Sequence, residues 1–192
     1  GKFEEMSLDE IKKFLDSISS FKPYLLLTGG EPLLYPEIEK VIEYASSRGI
    51  FVGLITNGML ATREKLKKII DAGLNFITIS LDGPYAEIHN YIRNNKSSFD
   101  NCIKAMKKIK ELRGKNSFPI ITTTFTISNY NFDKIDEILE TVEPLVDILQ
   151  FQHQWFTDSA SAKAYAIWAE KNLNLKSHYA GDFETCSALE VD

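Results

Sequence analysis

Apolar positions along the chain follow two rhythms that take turns. Leu8, Ile11, Leu15 and Ile18 recur at steps of three and four, and Ser7-Leu8-Asp9-Glu10 reads as a capping box, so the chain opens with an amphipathic helix. The run 24–28 (YLLLT) is short and apolar throughout and predicts a buried strand. Helical spacing returns with Ile38, Val41, Ile42 and Ala45, where Pro36 suits a first helical turn and Gly49 a helix end. The run 50–56 (IFVGLIT) predicts the next strand. Thr62 is placed to cap a helix carrying Leu66, Ile69 and Ile70 that Gly73 stops, and 76–82 (FITISLD) predicts a third strand.

A longer polar loop through HNYIRNNKSS follows, and Ser98 is placed to cap a helix with Phe99, Cys102, Ile103, Met106 and Ile109 facing inward. A fourth strand is predicted at 119–127, a helix opening at Asn131 with Ile135, Ile138, Leu139 and Val142, and a fifth strand at 146–152. An Ala-rich helix with Tyr165 and Trp168 comes next. Strand starts near 24, 50, 76, 119 and 146 leave room for one helix between each pair. Such alternation builds a parallel sheet, because a parallel return needs a crossover. Strands that are apolar on both faces agree with this. The rhythm by itself fits a flat doubly wound sheet as well as a barrel.

Composition narrows the classes. The 192 residues, 44% hydrophobic, suffice for one sizeable core and suggest a single domain. A formal charge of -5 without a basic block argues against non-specific nucleic-acid binding. Without a run of about 18 apolar residues, no membrane span is expected. The first residues are neither a signal nor a transit peptide and include no initiator Met, so the expectation is a cytoplasmic protein of which this is a piece. Two cysteines, Cys102 and Cys186, make no disulfide framework, and Cys102 lies on an apolar helix face as a core residue.

Ligands of parallel α/β folds bind at the C-terminal ends of the strands. Those ends are polar five times over: TGGEP (28–32), TNG (56–58), SLDG (80–83), TISN (126–129) and QFQHQW (150–155). Gly29 and Gly30 let a ligand approach the main chain, and their carbonyls with Glu31 make an acceptor-rich pocket. Such a pocket suits an ammonium group rather than a phosphate, which would need amide donors. Read singly, Gly-Gly-Glu is also a strand-exit turn, Ser80 and Asp82 a turn before Pro84, Arg93 a surface residue, His89 a structural one and Asn57 a turn residue. On the last strand, period-two alternation puts Gln150, Gln152 and Gln154 on one face and Phe151, His153 and Trp155 on the other. The glutamine face is the better lining for a polar interior.

The ordered set GGEPLL, TNG, SLDG and HNYIR on successive strand ends resembles the radical S-adenosylmethionine (SAM) superfamily, and within it most of all the branch of peptide and sulfatase maturases and the molybdenum-cofactor cyclase. The resemblance runs from about Leu8 to Gln154. It implies a partial (β/α)6 barrel in which Gly29, Gly30 and Glu31 hold the SAM amino group. It places Ser80 and Asp82 beside the SAM ribose and methionine. Arg93 is placed on the SAM carboxylate, for which a guanidinium fork is apt. Asn57, Gln152 and Gln154 fall near substrate. The implied cofactors are SAM and a [4Fe-4S] cluster whose open iron chelates SAM; one electron then gives methionine and a 5′-deoxyadenosyl radical that abstracts hydrogen from substrate. A peptide is the substrate the branch suggests, with a small metabolite or a tRNA base as alternatives.

The family's Cys-x3-Cys-x2-Cys run is absent from this sequence. In the family that loop follows the first strand and precedes the first helix, so the expectation is a barrel fragment whose first strand and cluster loop lie upstream of Gly1, inactive alone and able to dimerise across the exposed sheet edge. The competing reading is a natural cluster-less relative that binds or scaffolds without catalysis. A third is an ordinary barrel lyase using Glu31 and Asp82 as acid and base. The core is expected over 1–182. The segment 183–192 resembles the start of an auxiliary iron-sulfur domain, in which Cys186 would be a ligand.

Overall fold

The computed structural model describes residues 5–153 and 159–173. The chain divides into two compact units, 1–152 and 153–192. In the first, α1 (Leu8–Ile18), β1 (Tyr24–Leu27), α2 (Ile38–Ser47), β2 (Phe51–Thr56), α3 (Arg63–Asp71), β3 (Phe76–Ser80), α4 (Ala86–Ile92), α5 (Ser98–Arg113), β4 (Ile120–Ile127), α6 (Ile135–Val142) and β5 (Ile148–His153) follow one another, β5 ending one residue into the second unit. The described helix of the second unit is α7 (Ser159–Leu173). The expected boundary at 183 lies outside the described residues.

The five strands form one open sheet in the order β1-β2-β3-β4-β5. Its pairs are parallel and in step: Leu27 lies abreast of Leu54, Thr56 of Ile79, and Ser80 of Thr124. That register brings the C-terminal ends of β1 to β4 to one rim.

Local chemistry explains most element ends. Ser7 and Glu10 exchange hydrogen bonds as a capping box, Ser7 Oγ accepting from Glu10 N at 3.3 Å and Glu10 Oε2 from Ser7 N at 2.8 Å. Thr62 Oγ1 accepts from Lys65 N at 3.2 Å and starts α3, and Gly73, at φ +96°, follows α3 in a conformation that favours glycine. Burial fills one face of the sheet: Val52, Leu54, Ile77, Ile79, Ile121 and Phe125 pack with Ile38, Ile42, Leu66, Ile69, Met106 and Ile109 of the helices. The opposite face carries Tyr24 and Leu26 of β1, Phe51, Gly53 and Ile55 of β2, then Phe76, Thr78 and Ser80 of β3, by strand alternation.

Four details differ from the sequence reading. A seven-residue helix, α4, stands in the expected loop; it is too short to leave a periodic signature. Pro36 precedes α2 by two residues, and Pro32 instead begins a 3-10 turn, Pro32–Leu34. The residue capping α5 is Ser97, without a side-chain bond, while Ser98 is buried inside the first turn. Asn131 lies four residues before α6 and is buried rather than capping it. Among the described residues no helix is long and apolar enough to cross a membrane.

Candidate active site at the C-terminal rim

Two carboxylates tie the strand ends together in pairs. Glu31 leaves β1 in an extended conformation just ahead of the 3-10 turn. Its Oε1 accepts from Leu33 N at 3.0 Å and from Thr56 Oγ1 at 2.7 Å, and its Oε2 accepts from Asn57 N at 2.9 Å. The carboxylate thereby clamps the exit of β1 to the exit of β2. Asn57 also closes its own turn, Oδ1 accepting from Met59 N at 2.9 Å. Gly58 follows at φ +76°, and a Cβ there would come within 3.3 Å of the Cys102 Cα in α5. The TNG turn thus needs its glycine for both conformation and space.

Asp82 does for β3 and β4 what Glu31 does for β1 and β2. It is 2% exposed. Oδ1 accepts from Thr126 N at 3.0 Å, and Oδ2 pairs with Arg93 Nε at 2.6 Å. The Asp82 carbonyl accepts from Asn131 Nδ2 at 2.8 Å, and the same nitrogen reaches Thr126 O at 2.9 Å. Asn131 Oδ1 in turn accepts from Ser128 N at 2.7 Å. The main-chain N–H of Asp82 donates to His89 Nδ1 at 3.0 Å.

His89 is fully buried, and burial holds its pKa down to about 4, with Asp82 opposing and Arg93 reinforcing the shift. Cys102 is also buried, and burial pushes its thiol up to about 12. The thiol donates to main-chain carbonyls, Asn57 O at 3.3 Å and Ser80 O at 3.4 Å. Cys102 is therefore the core cysteine that the helix pattern indicated, and it is inert as a thiolate at neutral pH.

These contacts leave a defined set of ligand-facing groups. A Cβ built on Gly29 or Gly30 meets nothing within 4 Å, and Gly29 stands at φ +129°, so the main chain there is open to a neighbour. Glu31 accepts three bonds from its own chain, and a carboxylate has about four acceptor sites, so one remains for an ammonium donor. Arg93 commits Nε to Asp82 and keeps both terminal nitrogens without a partner among the described residues, the donor pair that a carboxylate ligand takes. Gln152 reaches the same rim, with Nε2 3.1 Å from Thr126 Oγ1. Gln154 and Cys186 lie outside the described residues.

Sequence reasoning missed Thr56, Ser98, Thr126 and Asn131, and it left His89 without a task. Thr56 and Thr126 sit inside the polar strand-end motifs TNG (56–58) and TISN (126–129), which was the available signal, whereas Asn131 was expected only to open α6. The residues present fit SAM by its amino and carboxylate ends. They do not fit the iron-sulfur cluster: the sequence has two cysteines, and among the described residues no group of three or more His, Cys, Asp or Glu side chains could hold a metal.

A parallel α/β sheet with its site on the C-terminal rim defines the class, and comparison with known proteins defines the family. Residues 1–142 match the Radical SAM superfamily, and the chain belongs to it. It is similar to the AdoMet-dependent heme synthase of Methanosarcina barkeri, 34% identical over 142 residues, covering 73% of this chain and 39% of that protein. It is likewise similar to the Fe-coproporphyrin III synthase of the same organism, 31% identical over 140 residues, 72% of this chain and 34% of that one. The chain thus spans little more than a third of the length of these curated relatives. Streptococcus suis SuiB has the same fold at TM-score 0.66 and 15% identity, over 90% of this chain and 42% of that one. Archaeal TYW1 does so at TM-score 0.56 and 17% identity, over 90% and 67%. The open five-stranded sheet is thus the partial TIM-type barrel that the motif order implied.

Proposed function

We propose that this chain is the SAM-binding core of a radical SAM enzyme. The observation that carries the reading is the joint state of Glu31 and Arg93. Both are anchored by their own chain, and among the described residues each keeps unused capacity of the sign that one end of an amino acid requires. Glu31, with the Gly29 and Gly30 main chain, receives the ammonium. Arg93, steadied by Asp82, receives the carboxylate. Ser80, level with Thr124 on the rim, stands beside the ribose, and Asn57 and Gln152 lie toward the substrate.

A [4Fe-4S] cluster would supply the electron for reductive SAM cleavage, while the residues of this chain would hold SAM by its amino and carboxylate groups. The two cysteines of this chain are too few to hold such a cluster. The 192-residue chain alone is therefore expected to bind SAM weakly and to release no 5′-deoxyadenosine. A cluster-less binding module remains the competing reading.

For the substrate, an iron-porphyrin-type molecule is the first choice. The relatives at 34% and 31% identity are a heme synthase and an Fe-coproporphyrin III synthase. The peptide expected from the motif branch has only a fold likeness beside it, to SuiB bound to its precursor peptide at 14% identity.

The test is to reconstitute the parent anaerobically with iron and sulfide, add SAM and a reductant, and measure 5′-deoxyadenosine with and without iron coproporphyrin, running the 192-residue chain in parallel. Product from the parent alone supports the reading, and its stimulation by the porphyrin supports the substrate. A parent that binds no iron and cleaves no SAM leaves the cluster-less module as the better account.

A further inference from the structure

The polar groups His89, Ser98, Asp82 and Asn131 under the β3–β4 rim are buried, and their bonds assign themselves. A main-chain N–H can only donate, so His89 Nδ1, 3.0 Å from Asp82 N, is the acceptor and carries no proton. The neutral ring therefore holds its proton on Nε2, where Ser98 Oγ accepts at 2.9 Å. Cys102 Sγ, 3.7 Å from that nitrogen, has its own carbonyl acceptors and does not compete for the proton.

Asp82 is consequently held at every polar atom it has. His89 takes its N–H, Asn131 its carbonyl, Thr126 N one carboxylate oxygen and Arg93 the other. His89 and Arg93 are four residues apart at the end of α4, one turn of helix. The same turn therefore fixes the Asp82 main chain and uses its carboxylate to aim the guanidinium.

We propose that His89 is a positioning residue for SAM: its unprotonated Nδ1 fixes the Asp82 main chain, and the Asp82 carboxylate then holds Arg93 with its terminal donors set for the SAM carboxylate. This rests on the SAM-binding reading above. A histidine that only filled core volume would have no need of the Nδ1 bond, and the two ring nitrogens can be separated by substitution. In His89→Asn the amide oxygen falls where Nδ1 was, keeping an acceptor for Asp82 N–H and losing Ser98. In His89→Gln the amide reaches the Nε2 position, keeping Ser98 and leaving Asp82 N–H without an acceptor.

Equilibrium dialysis of SAM against the reconstituted parent protein, with melting curves to establish the folded fraction, distinguishes the two. His89→Asn should bind SAM within about twofold of the wild type. His89→Gln, corrected for folded fraction, should bind about tenfold more weakly, the size of one buried hydrogen bond. Equal weakening by both variants, or unchanged affinity in His89→Gln, overturns the positioning role and leaves the SAM reading intact. A wild-type parent that binds no SAM overturns both.

Discussion

Glu31 accepts hydrogen bonds from Leu33 N, Thr56 Oγ1 and Asn57 N. All three partners are donors, and the two oxygens face different ones, so an amide cannot replace the carboxylate. In Glu31→Gln the NH2 group points at a donor in either orientation, and one or two bonds are lost. The expected cost is about 1–3 kcal/mol of unfolding free energy, read as a lower urea midpoint at unchanged slope. A variant as stable as the wild type would reduce Glu31 to a ligand group without a structural duty. The acceptor-rich character of this position was legible in the sequence, because a glutamate after two glycines at a strand end gathers acceptors whatever surrounds it. Its partners were not. Thr56 lies 25 residues away and Asn57 26, and only the pairing of β1 with β2 brings them to Glu31. Asp82 and Asn131 escaped in the same way, being 49 residues apart.

At the scale of elements, β1 to β4 and α1 to α3 were readable because each writes a local signature: a capping box at Ser7, a capping threonine at Thr62, a glycine stop at Gly73, and apolar runs between. Helix α4 was not readable. Its sequence AEIHNYI covers only two turns, and its buried residue is a histidine, which hydrophobic periodicity does not count. The aromatic ladder across the N-terminal ends of the strands was equally invisible, since it exists only in register. Tyr24 lies abreast of Phe51, meets its ring at a tilt of 42° with centroids 5.8 Å apart, and meets Phe76 edge-on at 6.4 Å. Gly53 makes room for this: a Cβ there would stand 2.2 Å from Tyr24 Oη and 3.0 Å from its Cζ. Alanine should improve a strand glycine on backbone entropy alone. Gly53→Ala should instead destabilise by about 1 kcal/mol, because the ring must leave its place. In a Tyr24→Ala background the penalty should vanish or reverse, so the cycle of the two single variants and the double should show coupling of about 1 kcal/mol or more. Additive effects would mean that the ring and the glycine are independent.

For the molecule as a whole, the buried polar cluster sets how stability answers to acid. His89 is neutral in the folded state, its pKa held at about 4 against 6.5 when free, by burial first of all. A base with a depressed folded pKa takes up its proton in the unfolded chain first. Stability is therefore whole above pH 6.5 and is lost as pH falls through the window from 6.5 toward about 4. The two pKa values together predict a loss of about 2 kcal/mol between pH 7 and pH 5 from this one group, a large part of the margin of an ordinary domain. Carboxylates add to the acid response: Ser7 holds Glu10, and Tyr44 with Arg48 holds Asp16, below the usual range, but both are exposed and titrate lower in the scale. The histidine is isolated by difference. Urea unfolding of the wild type and of His89→Asn at pH 7, 6 and 5 should show a steep fall for the wild type and a shallow one for the variant, whatever their stabilities at pH 7. Parallel curves would mean that the ring is not the group that titrates. The same neutral ring is what Asp82 N–H needs as an acceptor, so the acid limit of stability and the acid limit of SAM binding should coincide in the wild type and separate in the variant.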